Sequence, residues 1–195
     1  MPPPTIAVFC SGQGTNLQAI LRAIQRRKLK ARIAVVVSDN SQAHALNRAL
    51  EAGIPAVFID PRRYASREAF DRALWAVVRK ANARLIVLAG FMRILSPWFI
   101  RRYRHKILNI HPALLPAFPG CHAIRDALAH RATVTGVTVH FVDEKVDHGP
   151  MILQKAVPIK EGDTEESLMS RIHRLEHQLY PQAIQSVLEG KVKVK

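Results

Sequence analysis

The 195-residue sequence predicts an α/β protein built on a doubly wound, mostly parallel sheet with an antiparallel edge near its C-terminus. Three observations carry this. Short apolar runs alternate with amphipathic helical segments in four strand-then-helix units, which right-handed crossovers join into a parallel sheet. A glycine loop links the first strand to the first helix. The last two strand-like runs stand too close together for a crossover helix, so they are expected to pair antiparallel.

TIAVFC, residues 5 to 10, is an apolar run followed by SGQGTN and then by Leu17, Ile20, Leu21 and Ile24 at helical spacing. Gly12 and Gly14 let the backbone turn tightly and approach a ligand, and the free amides of a helix start favour an anion such as phosphate. The loop lacks the Gly-Lys-Ser/Thr ending of a Walker sequence, and Leu17 stands where G-x-G-x-x-G needs its third glycine. A monophosphate therefore fits better than a dinucleotide, with a plain connecting turn as the alternative. ARIAVVVSD, residues 31 to 39, is β-branched and apolar, as expected of a central strand covered on both faces. A helix from about Gln42 to Ala52 stops at Gly53 and Pro55. AVFID is a third strand. Ser66 caps a helix whose apolar residues Phe70, Leu74, Val77 and Val78 share one face. RLIVLAG, residues 84 to 90, is a fourth strand that breaks into FMRILSPWF.

ILNIHPALLPAFPG, residues 107 to 120, delivers Asn109 and His111 to a point where regular structure stops. Ile107, Leu108 and Ile110 read as a buried strand, and Pro112, Pro116 and Pro119 forbid a continuing ladder. Ligands of open parallel sheets bind outside the carboxyl ends of the strands, so this is a place for chemistry. A turn cap and an ordinary loop histidine are the alternative. HAIRDALAH reads as a short helix, Thr135 to Val142 as a strand, residues 143 to 149 as a polar loop carrying Asp147, and MILQKAVPI as the last strand. Asp163 with Glu166 three residues on is a capping-box variant opening a long helix, with Pro181 expected to kink or interrupt it.

Lysine and arginine total 29 against 15 acidic residues, a net charge of +14, which calls for anionic ligands. The excess is dispersed between apolar segments, including the VKVK tail, and no aromatic-interleaved basic motif appears, which argues against nucleic acid. The two cysteines form neither a disulfide framework nor a metal-ligand spacing, so no metal is expected. No apolar run approaches the roughly 20 residues of a membrane span, and a cytoplasmic setting is the expectation.

SGQGTNLQAI, LAGFMRILSP, ILNIHPALLPAFPG, TGVTVHFV and DHGPMILQ, in that order, resemble the phosphoribosylglycinamide formyltransferase family, the folate-dependent enzymes of purine synthesis. The resemblance covers essentially the whole chain and implies a Rossmann-like formyltransferase fold in a single domain, 1–195. Residues 1–100 would form a phosphate- and ribonucleotide-binding half, and 101–195 a catalytic and folate-binding half. It puts the catalytic trio on Asn109, His111 and Asp147. The ribonucleotide falls on Gly12, Gly14, Thr15 and Asn16, with Glu176 holding the sugar. Folate contacts fall on Arg67, Met92, Arg93, Ile94, Leu95, Asn109, Val142 and Asp143. The implied partners are small molecules, glycinamide ribonucleotide and the cosubstrate 10-formyltetrahydrofolate, handled by a monomer or homodimer. Two positions depart from the family pattern: Ile124 stands where a second histidine is common, and His148 where a second glycine is common.

The implied chemistry suits these side chains. Attack of an amine on a formyl carbon develops an oxyanion, which the Asn109 amide and a protonated His111 can stabilise. Histidine can carry the protons, and a carboxylate such as Asp147 favours and orients imidazolium. His122 is a candidate supporting residue. His44, His105, His130, His140, His173 and His177 are expected to be structural or on the surface. The rival readings are formyltetrahydrofolate deformylase, which uses water as acceptor and would carry a domain ahead of the glycine loop; methionyl-tRNA formyltransferase, which would carry a further C-terminal β domain; and a non-catalytic nucleotide- or nucleic-acid-binding module.

Overall fold

The structure, a computed structural model, describes residues 2–192, so most of the basic VKVK tail lies outside the described residues. β1 (Thr5–Phe9), α1 (Thr15–Gln25), β2 (Arg32–Ser38), α2 (His44–Glu51), β3 (Ala56–Phe58), α3 (Arg67–Lys80), β4 (Leu85–Leu88), α4 (Pro97–Arg102) and β5 (Ile107–His111) alternate strand with helix. α5 (Ala123–Ala129), β6 (Val134–Phe141), β7 (Met151–Pro158) and α6 (Glu165–Leu188) follow. The seven strands form one sheet in the order β3-β2-β1-β4-β5-β6-β7.

β3, β2, β1, β4 and β5 run parallel to their neighbours. β5–β6 and β6–β7 are antiparallel, so the antiparallel edge begins one strand earlier than the spacing of the last two strands suggests. The proline-rich stretch after β5 and the short α5 keep the chain at one end of the sheet, and β6 then descends beside β5. The chain walks from β1 out to β3 and returns to β4 on the other side of β1. This leaves a switch point, the usual ligand crevice of such folds, between the ends of β1 and β4.

Alternating side chains sort the strands into two cores. Ile6, Val8, Cys10, Val36, Val87 and Leu108 pack with Leu17 and Ile20 of α1 and Leu168, Ile172 and Tyr180 of α6. Ala7, Phe9, Val35, Ile86 and Ile107 pack with Phe70 and Leu74 of α3 and Phe99 of α4. The sheet is therefore covered on both faces across its parallel part. Tyr180 ties α6 to the strand ends, donating its hydroxyl to the Leu88 carbonyl at 2.7 Å.

Local chemistry sets the helix ends. Ser66 accepts from Ala69 N–H at the start of α3, and Ser96 caps α4. At α6 the capping box is Thr164 with Ser167 rather than Asp163 with Glu166. Asp163 is drawn instead to Arg171 and the Ser167 hydroxyl. α6 runs unbroken through Pro181, which is buried beside Tyr180, Ala183 and Ile184, so packing on both sides of the proline holds the helix where propensity alone would end it. Among the described residues no helix is long and apolar enough to cross a membrane.

Candidate active site

The period of two along β5 and its pairing with β6 create the central cluster. Leu108 and Ile110 face the α1–α6 core, so Asn109 and His111 face the other side with Ile107. On β6, Val137, Val139 and Phe141 likewise leave Thr138 and His140 on the side of Asn109 and His111. The register pairs Asn109 with His140 and His111 with Thr138, and directly opposed residues share a face. Asn109 Nδ2 lies 3.3 Å from His140 Nε2. Thr138 fixes the proline stretch above them, donating to the Ala113 carbonyl at 2.7 Å and accepting from Leu115 N–H at 3.1 Å.

Asp147 enters from the loop between β6 and β7 in a left-handed conformation, φ 51°. Its Oδ1 accepts from Asn109 Nδ2 at 3.3 Å and its Oδ2 from Gly120 N–H at 2.9 Å. His111 Nδ1 is 3.3 Å from Oδ2 and His140 Nε2 3.5 Å from Oδ1. Gly149 closes the loop against β6, where a Cβ would run into the Phe141 carbonyl.

The hydrogen bonds constrain the ring protons. His111 Nε2 faces the Phe118 carbonyl at 2.8 Å and must donate to it, leaving Nδ1 toward Asp147. His140 Nδ1 donates to the Phe141 carbonyl at 2.8 Å. In neutral His140 the Nε2 lone pair therefore receives the Asn109 amide, whereas in imidazolium it donates to Asp147. Burial pushes His111 below its ordinary pKa; Asp147 and the Phe118 carbonyl pull it up without overcoming burial. Burial alone would raise Asp147, but His140, Gly120 N–H and His111 together hold its carboxyl below the usual range.

The second cluster stands at the start of α1. Gly14 is left-handed, φ 70°, at the N-cap, and a Cβ there would come within 2.8 Å of Ala45 Cβ, so its small size serves the packing of α2 as well as the turn. Gly12 has open space where its side chain would be. Arg48 braces the loop by donating to the Gln13 carbonyl at 2.8 Å. Asn16 Nδ2 donates to Glu176 Oε2 at 2.9 Å across the α1–α6 contact. Burial pushes the Glu176 carboxyl up to about 7, offset only in part by Asn16. Asn16 Oδ1 is buried without a partner. Thr15 sits beside Asn16 in the first turn of α1.

A third group surrounds the loop after β4. Arg67, Met92, Arg93 and Ile94 line a 430 Å³ cavity with Tyr64 and Phe70. Met92 is 71% and Ile94 56% exposed, an unusual display of large apolar side chains. Leu95 points into the α3–α4 core instead. Arg93 is bound to Asp39 Oδ2 at 2.9 Å and lies over the Phe70 ring. Val142 packs against the same core, and Asp143 accepts from Lys145 N–H at 2.9 Å. This lining comes from residues before 100, whereas Glu176 of the last helix belongs with Asn16 of the first.

His140, expected to be structural or on the surface, is the residue missed by sequence reasoning. It is 2% exposed and touches both Asn109 and Asp147. The signal was its two-residue spacing from Thr138 in a strand that pairs beside β5. His122, by contrast, is exposed at the start of α5 and caps it with no side-chain bond. Ile124 fills the α1–α6 core, so packing takes the place of a polar contact there. His148 Nδ1 lies 2.9 Å from Asp143 Oδ2, pinning the loop that carries Asp147.

A doubly wound sheet with an amide, two imidazoles and a carboxylate gathered beyond β5 is an α/β protein with acid-base and oxyanion-stabilising groups at its strand ends, where such folds bind their ligands. The chain belongs to the formyl transferase family, whose pattern matches residues 5–184. It is 43% identical over 182 residues to phosphoribosylglycinamide formyltransferase of Bacillus subtilis, covering 93% of each chain. It superposes on the crystal structure of glycinamide ribonucleotide transformylase 1 from Symbiobacterium toebii with a TM-score of 0.97 at 48% identity, covering 99% of this chain and 91% of that one. It is also 47% identical over 189 residues to the trifunctional purine biosynthetic protein adenosine-3 of Gallus gallus, and spans 19% of that relative's length.

Proposed function

We propose that this chain transfers the formyl group of 10-formyltetrahydrofolate to the primary amine of glycinamide ribonucleotide, in the purine synthesis for which its relatives are named. The observation that carries this reading is the gathering of Asn109, His111 and Asp147 within 3.3 Å contacts at a strand end. In this reading Asn109 Nδ2 donates to the oxyanion that forms when the amine adds to the formyl carbon, an interaction worth about 3 kcal/mol. His111, kept neutral by burial, takes the proton released by the amine. Asp147, kept ionised, stabilises the imidazolium. The same proton then passes to the folate nitrogen as its bond to the formyl carbon breaks. Proton handling of this kind contributes about 10²- to 10⁴-fold, and holding amine and formyl together supplies much of the rest.

The loop of Gly12, Gly14, Thr15 and Asn16 takes the phosphate, through free amides at the start of α1. Glu176 takes a sugar hydroxyl, and a second hydroxyl satisfies Asn16 Oδ1. The cavity of Arg67, Met92, Arg93 and Ile94, with Val142 and Asp143 at the edge of the Asp147 loop, takes the folate; it offers apolar and aromatic walls for a flat ring and arginines for its carboxylates. We read the chain as one formyltransferase domain acting on small molecules in a cytoplasmic setting. The test is to incubate the protein with 10-formyltetrahydrofolate, with and without glycinamide ribonucleotide, and follow free tetrahydrofolate. Turnover is expected only with the ribonucleotide. Equal turnover without it would make water the acceptor, and no turnover in either case would overturn the formyl-transfer reading.

A further inference from the structure

We propose that the groove between α1 and α6 binds a linear polyphosphate anion at a site separate from the glycine loop. The groove has a volume of 440 Å³ and gathers Arg22 from α1, Arg26 at its C-cap, Lys28 just beyond it, Arg48 from α2, and His177 and Gln178 from α6. No aspartate or glutamate lines it. None of its four lysine and arginine side chains pairs with a carboxylate among the described residues. Like charges collected around one concavity repel each other, and a bound anion relieves that repulsion.

His177 supplies an independent observation. Its Nε2 is buried with no hydrogen-bond partner, although such atoms are nearly always satisfied. Burial, His173 and Arg22 all disfavour a proton on the ring. A phosphate in the groove would neutralise Arg22 and so remove one of the charges that oppose a proton on the His177 ring. Ala19 and Ala23 keep the floor between the helices low enough to admit it.

The spacing selects the ligand. From Thr15 to Arg26 the helix advances roughly 16 Å, so one phosphate could reach only one or two of the cations, and a chain of phosphates is needed to meet them all. Arginine forks match phosphate oxygens in pairs. No phenylalanine, tyrosine or tryptophan lines the groove, so nothing there stacks on a base. The phosphate chain is recognised and an attached nucleoside is not. Gly12, Asn16 and Glu176 are not part of the lining; the groove meets the glycine loop only at Thr15 and Arg48. The site rests on this geometry and not on the formyl-transfer reading.

The test is calorimetry of the whole chain with sodium tripolyphosphate near 0.1 M salt, where long-range attraction is screened beyond about 10 Å. One site is expected, occupied also in the presence of saturating ribose 5-phosphate, with ATP binding within about threefold of tripolyphosphate because the base makes no stacking contact. Arg22→Gln with Arg26→Gln should weaken binding by at least about tenfold through lost charge-assisted hydrogen bonds, with an unchanged melting temperature. Arg22→Lys with Arg26→Lys, which keeps the charge, should fall between. Lys155→Gln with Lys160→Gln removes equal charge on the exposed β7 side and should change binding by less than about twofold. Absence of binding, equal loss in both glutamine pairs, displacement by ribose 5-phosphate, or binding of single-stranded RNA without tripolyphosphate would each overturn the proposal.

Discussion

Two carboxylates on this scaffold, Asp147 half-buried and Glu176 buried, are driven in opposite directions. Beyond β5, Asp147 meets a backbone amide, an asparagine amide and two imidazoles, and its pKa falls although burial pushes it up. Between α1 and α6, Glu176 meets one asparagine amide, and burial carries it up to about 7. The Asp147 side chain is 10% exposed on a half-buried loop residue, and Glu176 lies buried between the two helices. Asp147 stays ionised because several donors, two of them imidazoles, outweigh its burial, whereas the deeper burial of Glu176 is opposed by one neutral amide. The first is suited to holding an adjacent imidazolium; the second is poised to change charge when a ligand supplies further donors.

The comparison breaks most visibly at His111. His111→Ala is expected to lower kcat by about 10²- to 10⁴-fold while folate affinity is largely kept, in steady-state assays paired with folate titration. An unchanged kcat would remove His111 from the proposed chemistry. Asp147→Asn should lower kcat by about tenfold or more and drop the His111 pKa further, because the pull that opposes burial is gone. A proton-NMR titration reads this directly, and a His111 pKa that rises would mean Asp147 does not act on the ring.

At Glu176 the effect is on stability. The folded carboxyl ionises near 7 against 4.5 for the unfolded chain, so its contribution is fully present below pH 4.5 and is lost as pH rises to about 7. The swing is on the order of 3 kcal/mol. Glu176→Gln should flatten urea-unfolding free energies over that window, and a slope identical to the parent's would mean Glu176 ionises like an exposed acid. Smaller still, Gly14→Ala should cost about 1–3 kcal/mol, from its left-handed backbone and the approach of Ala45, whereas Gly12→Ala should stay within roughly 0.5 kcal/mol. Gly12→Ala should instead raise KM for the ribonucleotide, if the backbone there touches the phosphate. Equal melting points for the two variants would show that Gly14 is not held in this geometry.

The parallel strands were legible because each is a continuous apolar run between helical segments, and the prolines from Pro112 onward marked the end of the strand that carries Asn109 and His111. The early antiparallel turn of the sheet at β6 was not, since an irregular proline-rich connection carries no periodicity. His140 was missed for the same reason: it belongs with Asn109 only if β6 lies beside β5 in this register. Arg93 illustrates the opposite difficulty. Its charge was plain in sequence, but its partner Asp39 is 54 positions away, on a loop brought near only by the winding of the sheet.

By itself, the sequence determined the alternation of strand and helix, the glycine loop at α1 and the delivery of an amide and an imidazole to the end of β5. These depend on side-chain period, backbone permissiveness and proline, which act over a few residues. Tertiary structure alone decided that Asp147 reaches His111 across 36 positions, that His140 joins them, and that Glu176 is left with a single donor. Charge state in a buried site depends on every donor packed around the group, and those donors come from segments that only the folded chain brings together.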